Sequence, residues 1–272
     1  MSLRDRFGVS ERKACRLTSQ HRSSQRYQRR LVPEEALLRR RLQLLARRHP
    51  RYGYRRIHAI LRREGWACNR KRVQRLWRDE GLRLPVKTRR RRRGPRMPGH
   101  LVAACPDQVW AIDFVSDQTA DGRPLKILTV TDEHTREALA TPAARRMGAD
   151  DTVNTLEQIV EQRGRAPKLI RCDNGPEFIS QSLRDWCRFN NAGTGYIEPG
   201  APWQNPFVES FNGHLRRELL ELESFNSLLE AQLLLEDRRL AYNHYRPHQS
   251  LNYQTPAEYA RRCRTDNQPE LS

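Results

Sequence analysis

Apolar residues recur at helical spacing through the first third of the chain. In PEEALLRRRLQLLARR, Leu38, Leu42 and Leu45 fall four and three apart, Pro33 stands at the first turn, Glu34 and Glu35 follow it, and Arg47 and Arg48 close the run. Acids at the start and bases at the end complement the helix dipole, so the pattern predicts a helix over 33–48. His49-Pro50 breaks it, and Ile57, Ile60 and Leu61 then carry a second helix from Tyr54 to Glu64 that stops at Gly65. Asn69 can cap a third, running to about Glu80 with Val73, Leu76 and Trp77 turned inward. The whole reads as helix, turn, helix, and Val9 to Gln25 carries a weaker version of the pattern.

Beyond residue 105 the period changes. Short β-rich runs at Val109–Val115, Leu125–Val130, Glu137–Thr141, Lys168–Cys172 and Gly193–Ile197 are joined by helical stretches at Asp150–Arg163, at Ser180–Asn190 and after Pro206. The order βββαβαβα predicts an α/β domain with one central mixed sheet flanked by helices. A long helix from about Ser227 to Tyr242 precedes YNHYRPHQSLNYQTPAEYARR and a polar tail. Between the two regions LPVKTRRRRRGPRMPG has no apolar period. Its arginines Arg89, Arg90, Arg91, Arg92 and Arg93 stand among Pro and Gly and read as a linker that tracks a phosphate backbone. The expected division is a short helical junction at 1–28, a helix-turn-helix domain at 29–86, the arginine-rich linker at 87–104, an α/β core at 105–225 and a C-terminal helix and tail at 226–272.

Charge separates the same regions. The 272 residues carry a net charge of +19, but the first 100 hold 32 Lys and Arg against 7 Asp and Glu, and the rest hold 19 against 25. The basic front is mostly Arg, whose planar fork suits phosphate, and this implies a polyanionic partner such as duplex DNA or RNA. Arg70, Lys71, Arg72, Arg75 and Arg78 lie at the start or on the outer side of the third helix, as on a recognition helix entering a groove. A solubilising or ribosomal-type arm is the plainer alternative. The chain has no run of 18 apolar residues and no apolar segment at its start, so neither a spanning helix nor a secretory signal is expected, and the compartment expected is the cytoplasm. Six scattered cysteines without a C-x-x-C pair argue against a zinc ribbon and read as reduced thiols.

Three acids stand out by their surroundings. Asp113 lies inside VWAIDFV, where a charge is costly unless it faces a functional cleft. Asp173 follows the run KLIRC and opens DNGPEF; Glu209 lies in PFVESFNGHLRRE, with Asn205 a plausible cap and Pro206 at the first helical position. Carboxylates on a strand, at the end of its neighbour and on a nearby helix can converge, and their hard oxygens suit Mg²⁺ or Mn²⁺. Two such ions serve phosphodiester chemistry. Asn212, Gly213 and Arg216 share the Glu209 face of the helix, and Arg216, about 10 Å further along, is placed to hold a phosphate. Singly, each acid also reads as a surface or capping carboxylate, and Asp173 as a turn residue before Asn-Gly.

The order Asp, Asp, Glu with 59 and then 35 residues between them resembles the DD(35)E core of retroviral-integrase-like enzymes. Within that group the chain resembles the OrfB transposases of the IS-three family of bacterial insertion sequences. PRYGYRRIHAILRREG with NRKRVQRLWRDEGL is similar to that family's second helix-turn-helix. WAIDF, DNGPEF and PWQNPFVESFNGHLRREL are similar to its three acidic motifs, and YNHYRPHQSLNYQTPAEY to its C-terminal signature. The resemblance implies an RNase H-like fold, Asp113, Asp173 and Glu209 as ligands of two Mg²⁺ ions with Mn²⁺ able to substitute, and Arg216 as the basic catalytic residue. It further implies 3′-end cleavage and strand transfer of an insertion sequence without a covalent protein intermediate, through a figure-eight and an excised circle. The partners implied are the element's terminal inverted repeats and target DNA, OrfA or an OrfA–OrfB fusion, and further copies of the chain on DNA in the bacterial nucleoid.

Competing readings are an inert DNA-binding regulator or remnant and an RNase H-fold nuclease. A retroviral integrase would need a C-x-x-C module that is missing. A tyrosine recombinase would use Tyr253 or Tyr259 after His244, Arg246 and His248, a cluster read instead as a polar C-terminal element or DNA contact. Trp110, Trp186, Trp203 and Phe211 are expected as core or loop anchors. Asp107, Asp117, Asp121, Asp132 and Glu177 are expected outside the site, Asp117 and Asp121 in a turn, and His134, His214, His244 and His248 lack metal spacing.

Overall fold

A computed structural model of the protein describes residues 7–26, 33–84, 102–197 and 204–266; the arginine run 89–93, Trp203 and the last six residues lie outside this set. Two short helices, α1 (Glu11–Leu17) and α2 (Arg22–Arg26), come first, with the Ser10 hydroxyl capping α1. Helices α3 (Pro33–Arg48), α4 (Tyr54–Arg63) and α5 (Arg70–Asp79) then close around Leu38, Leu42, Leu45, Ile57, Ile60, Leu61, Val73 and Leu76, the apolar positions of the sequence pattern. Gly65 ends the α4 segment at φ +86°, a left-handed turn that glycine adopts without steric cost, and Asn69 Oδ1 accepts the Lys71 N–H at 2.9 Å to start α5.

The second region is built on six strands: β1 (Val109–Gln118), β2 (Pro124–Asp132), β3 (Ala138–Ala140), β4 (Ala143–Ala144), β5 (Leu169–Cys172) and β6 (Gly193–Tyr196). Their order is β3-β2-β1-β5-β6, with β4 also on β2; β1, β2, β3 and β4 pair antiparallel, whereas β1, β5 and β6 run parallel. The parallel pairs need crossovers, supplied by α6 (Ala149–Arg163) and α7 (Gln181–Phe189). Period-two alternation assigns the faces. Trp110, Ile112, Leu128 and Val130 pack with Leu156, Ile159, Leu183 and Trp186 under α6 and α7. On the other face Val115, Leu125 and Ile127 meet Phe211 and Leu215 of α8 (Pro206–Leu215) and Ala231, Leu235 and Tyr242 of α9 (Leu228–His244). Trp110, Trp186 and Phe211 are thus core residues.

Local departures from the pattern have physical causes. Strands β1 and β2 outrun their apolar runs, so Asp117, expected in a turn, is paired opposite Leu125 inside β1, and the turn carries Asp121 and Gly122 instead. The third run forms β3 and stops before Pro142, which has no N–H to donate to a ladder, and the short β4 beyond it was not expected. The polar ending contains a further helix, α10 (Pro256–Asp266), whose Ala257 and Ala260 are buried. All six cysteines are free thiols. No described helix is long and apolar enough to cross a membrane.

Candidate active site

Odd positions of β1 face α8, and this puts Asp113 at the seam between sheet and helix. Its Oδ1 accepts the Phe114 N–H at 2.8 Å, and its Oδ2 accepts the Asn212 side-chain amide at 2.8 Å. On β5 the register pairs Ala111 with Arg171, so Asp173, just past the end of β5, falls level with Asp113 on the neighbouring strand. Asp173 Oδ1 accepts the Gly175 N–H at 3.0 Å, an Asx-type turn that aims the carboxylate; a Cβ at Gly175 would stand 3.0 Å from that oxygen. Glu209 lies in the first turn of α8, exposed. Arg216 follows the last residue of α8 as the first of a π-helical turn, Arg216–Leu220.

The electrostatics tie these groups together. Burial pushes the Asp113 carboxyl up to about 6, the negative charge of Asp173 adds to the rise, and hydrogen bonding and the positive charge of Arg216 oppose it. Burial also raises Glu209, with the Asp113 charge as second cause. Asp113 therefore feels Asp173, Glu209 and Arg216 together. Among the described residues no three His, Cys, Asp or Glu side chains approach closely enough to enclose an ion; Asp173 and Glu209 are linked to Asp113 through their charges.

Other acids around the sheet are handled differently. Asp107 accepts from Arg163 at 2.6 Å and from Arg165 at 2.7 Å, Asp132 lies 3.7 Å from Arg163, Glu133 is held by Arg171 at 2.7 Å, and Glu177 pairs with Lys126. These acids, set outside the site by the sequence reading except for Glu133, which that reading did not mention, form internal ion pairs. Asp113, Asp173 and Glu209 make no ion pair with a described Lys or Arg. Oxygen donors without a side-chain cation suit a hard divalent ion, and the buried, unpartnered Oδ1 atoms of Asn205 and Asn212 add acceptors beside them.

Several sequence expectations need correction. Asn205 precedes α8 but its side chain makes no cap; its amide instead reaches Ile112 O at 3.4 Å, tying α8 to β1. Asn212, which the sequence places only on the Glu209 face, is the direct bridge from α8 to Asp113. Its spacing of three from Glu209 gives the face but not the contact. On α5, Arg70, Lys71 and Arg78 are exposed, but Arg75 reaches the buried Glu35 at 2.9 Å and Arg72 lies 3.9 Å from it, so these two hold the helices together. Arg246, once a possible DNA contact, is 1% exposed, 3.0 Å from Glu218 and 3.0 Å from His214 Nδ1. Burial and the charges of Arg246 and Arg56 push His214 and His248 down to about 2, so both are neutral structural groups.

The Arg246 cluster also joins the two regions. His49 stacks on Tyr245 at 5.1 Å, and Arg63 donates to Tyr253 O and Glu258, each at 2.8 Å, so the helical front packs on the C-terminal end of α9 and the start of α10.

Comparison with known proteins agrees with this architecture. The integrase core domain family matches residues 103–202 and, in a second part, 190–256, and an HTH-like domain matches 33–92. An insertion element IS407 protein of 31.7 kDa from Burkholderia multivorans is 39% identical over 265 residues, covering 97% of this chain and 95% of its own length. Transposase InsD for insertion element IS2D of Escherichia coli is 27% identical over 230 residues, 78% of this chain and 74% of its own. Among solved structures, an integrase assembly of simian T-cell lymphotropic virus superposes with a TM-score of 0.50 at 16% identity, over 76% of this chain and 69% of that one, a similarity of fold. The chain accordingly belongs to the IS-three family of insertion-sequence transposases, as an OrfB-type protein with an RNase H-like integrase core.

Proposed function

We propose that this DDE-type transposase cleaves the 3′ ends of its insertion sequence and joins them to target DNA with Asp113, Asp173 and Glu209 as ligands of two divalent ions, Mg²⁺ with Mn²⁺ as substitute. The observation that carries the reading is Asp113: it stands half-buried in a strand with no ion pair to a described Lys or Arg, its two oxygens held by Asn212 and the Phe114 N–H and acted on by the charges of Asp173 and Glu209, whereas the buried Asp107 and Glu133 are paired with arginine. Bound ions supply Lewis acidity for the attacking and leaving oxygens of an in-line displacement.

The chain's own residues do the positioning. Asn212 and the Phe114 N–H fix both oxygens of Asp113, and the turn at Gly175 fixes Asp173. Arg216 brings a positive charge to the same point, suited to a non-bridging phosphate oxygen. In the first step water displaces the flanking DNA and leaves a 3′-hydroxyl on the element. In the second, that hydroxyl forms a new phosphodiester bond to the target as a target P–O bond breaks.

DNA would be gripped by Arg70, Lys71 and Arg78 on α5 and by Arg89–Arg93, with Arg72 and Arg75 acting mainly within the helical domain. The element's inverted repeats and target DNA, OrfA or its fusion, and further copies on DNA are the partners this activity calls for, and the nucleoid the place. A helix-turn-helix domain at 29–86, a linker at 87–104, a core at 105–225 and a C-terminal part at 226–272 are the division of labour.

The test uses an end-labelled duplex carrying one terminal repeat. Asp113→Asn, Asp173→Asn and Glu209→Gln should each abolish cleavage and keep duplex binding. Retained cleavage by any one removes that residue from the ligand set.

A further inference from the structure

Helices α3 and α9 each bury one face and leave leucines on the other. On α3, Leu38, Leu42 and Leu45 fill the three-helix core while Leu37 and Leu44 remain 57% and 55% exposed. On α9, Ala231, Leu235 and Tyr242 pack on the sheet while Leu233 and Leu240 remain 61% and 42% exposed, with Leu229 continuing the stripe one turn earlier. Both outer pairs are seven residues apart, about 10 Å on a helix, so the two stripes have the same pitch. Aligned exposed leucines on a folded helix mark an interaction surface more often than isolated ones do.

The charges between the leucines are opposite. The outer face of α3 reads Leu37-x-x-Arg40-Arg41-x-x-Leu44, and that of α9 reads Leu233-x-x-Glu236-Asp237-x-x-Leu240. Arg41 is engaged by Glu64 at 2.8 Å and Glu236 by Arg239 at 2.7 Å, whereas Arg40 and Asp237 make no ion pair among the described residues. Each pattern is symmetric about its charges, so antiparallel contact sets Leu37 on Leu240, Leu44 on Leu233 and Arg40 against Asp237.

We propose that α3 of one copy of this chain docks antiparallel on α9 of a second. Both halves of the match belong to the same sequence, and both faces are exposed within one chain, so another copy is the occupant the surfaces specify. A twofold dimer would use the contact twice and close on itself; a head-to-tail arrangement would extend. The contact involves no metal, DNA or catalytic group, so its failure would leave the proposed reaction untouched.

Sedimentation equilibrium of the full chain without DNA provides the test. The unaltered protein should self-associate with rising concentration. Arg40→Glu and Asp237→Arg, both at exposed positions, should each weaken association on the order of tenfold by setting like charges together. The double variant Arg40→Glu/Asp237→Arg should regain it, and circular dichroism should show all three as helical as the parent. A parent that stays monomeric, single variants that associate like the parent, or a double variant that fails to recover would each overturn the proposal.

Discussion

At Asp113 an acid is set in a hydrophobic strand without a basic partner, and the fold bears a cost for it. The raised carboxyl means that the folded state favours the neutral form. Its stabilising contribution is complete below the unfolded value near 3.8 and is lost as pH rises through about 6. In EDTA at pH 8, Asp113→Asn should therefore be more stable than the parent, on the order of 2 to 3 kcal/mol by denaturant unfolding, and the gain should vanish near pH 4. A flipped Asn212 amide can accept from the new side chain through its Oδ1, now unpartnered. Equal stability at pH 8 would contradict the electrostatic account. Asn212→Ala should lower joined product about 10- to 100-fold with duplex binding unchanged, since it holds a ligand without replacing one. Asp113 was legible in the sequence because a charge inside VWAIDFV is anomalous. Asn212 was not, because a polar residue three after Glu209 looks the same whether it meets solvent or a strand across the seam.

Among the elements, helices with one apolar stripe were legible to within a residue or two: 33–48 as α3, Tyr54 to Glu64 as α4, Asn69 as the cap of α5. Strand lengths were less so, because β1 continues as an antiparallel ladder past its buried part and β2 runs on through the buried but polar Thr131 and Asp132, where backbone pairing needs no apolar side chain. The basic face of α5 shows what charge pattern alone cannot give. A row of Arg beside a buried Glu35 is partly internal, and only packing distinguishes Arg75 from Lys71. Lys71→Ala should lower DNA affinity in a filter-binding assay without shifting the melting temperature. Arg75→Ala should lower the melting temperature by several degrees as well, because Glu35 loses a partner in a buried site. Equal thermal effects of the two would dissolve the distinction.

Across the whole molecule, a basic helical front is packed against an acidic catalytic region through His49, Arg63 and the C-terminal segment around Arg246. This contact had no signal in the sequence, since its residues are aromatic and basic groups that read equally well as DNA contacts. Replacing Arg89–Arg93 with Ala should lower affinity for all duplexes and flatten the salt dependence of binding; an unchanged slope would show that the run does not meet phosphate. Asp113, Asp173 and Glu209 are proposed to perform strand transfer with a divalent ion, and its metal dependence is the point to test first. The most direct measurement incubates the purified chain with a labelled supercoiled plasmid carrying both element ends, in Mg²⁺ or in EDTA, beside Asp173→Asn. End-specific nicks and joined strands that need Mg²⁺ and vanish in the variant are the expected result, and joined strands that persist in EDTA or in Asp173→Asn would contradict it.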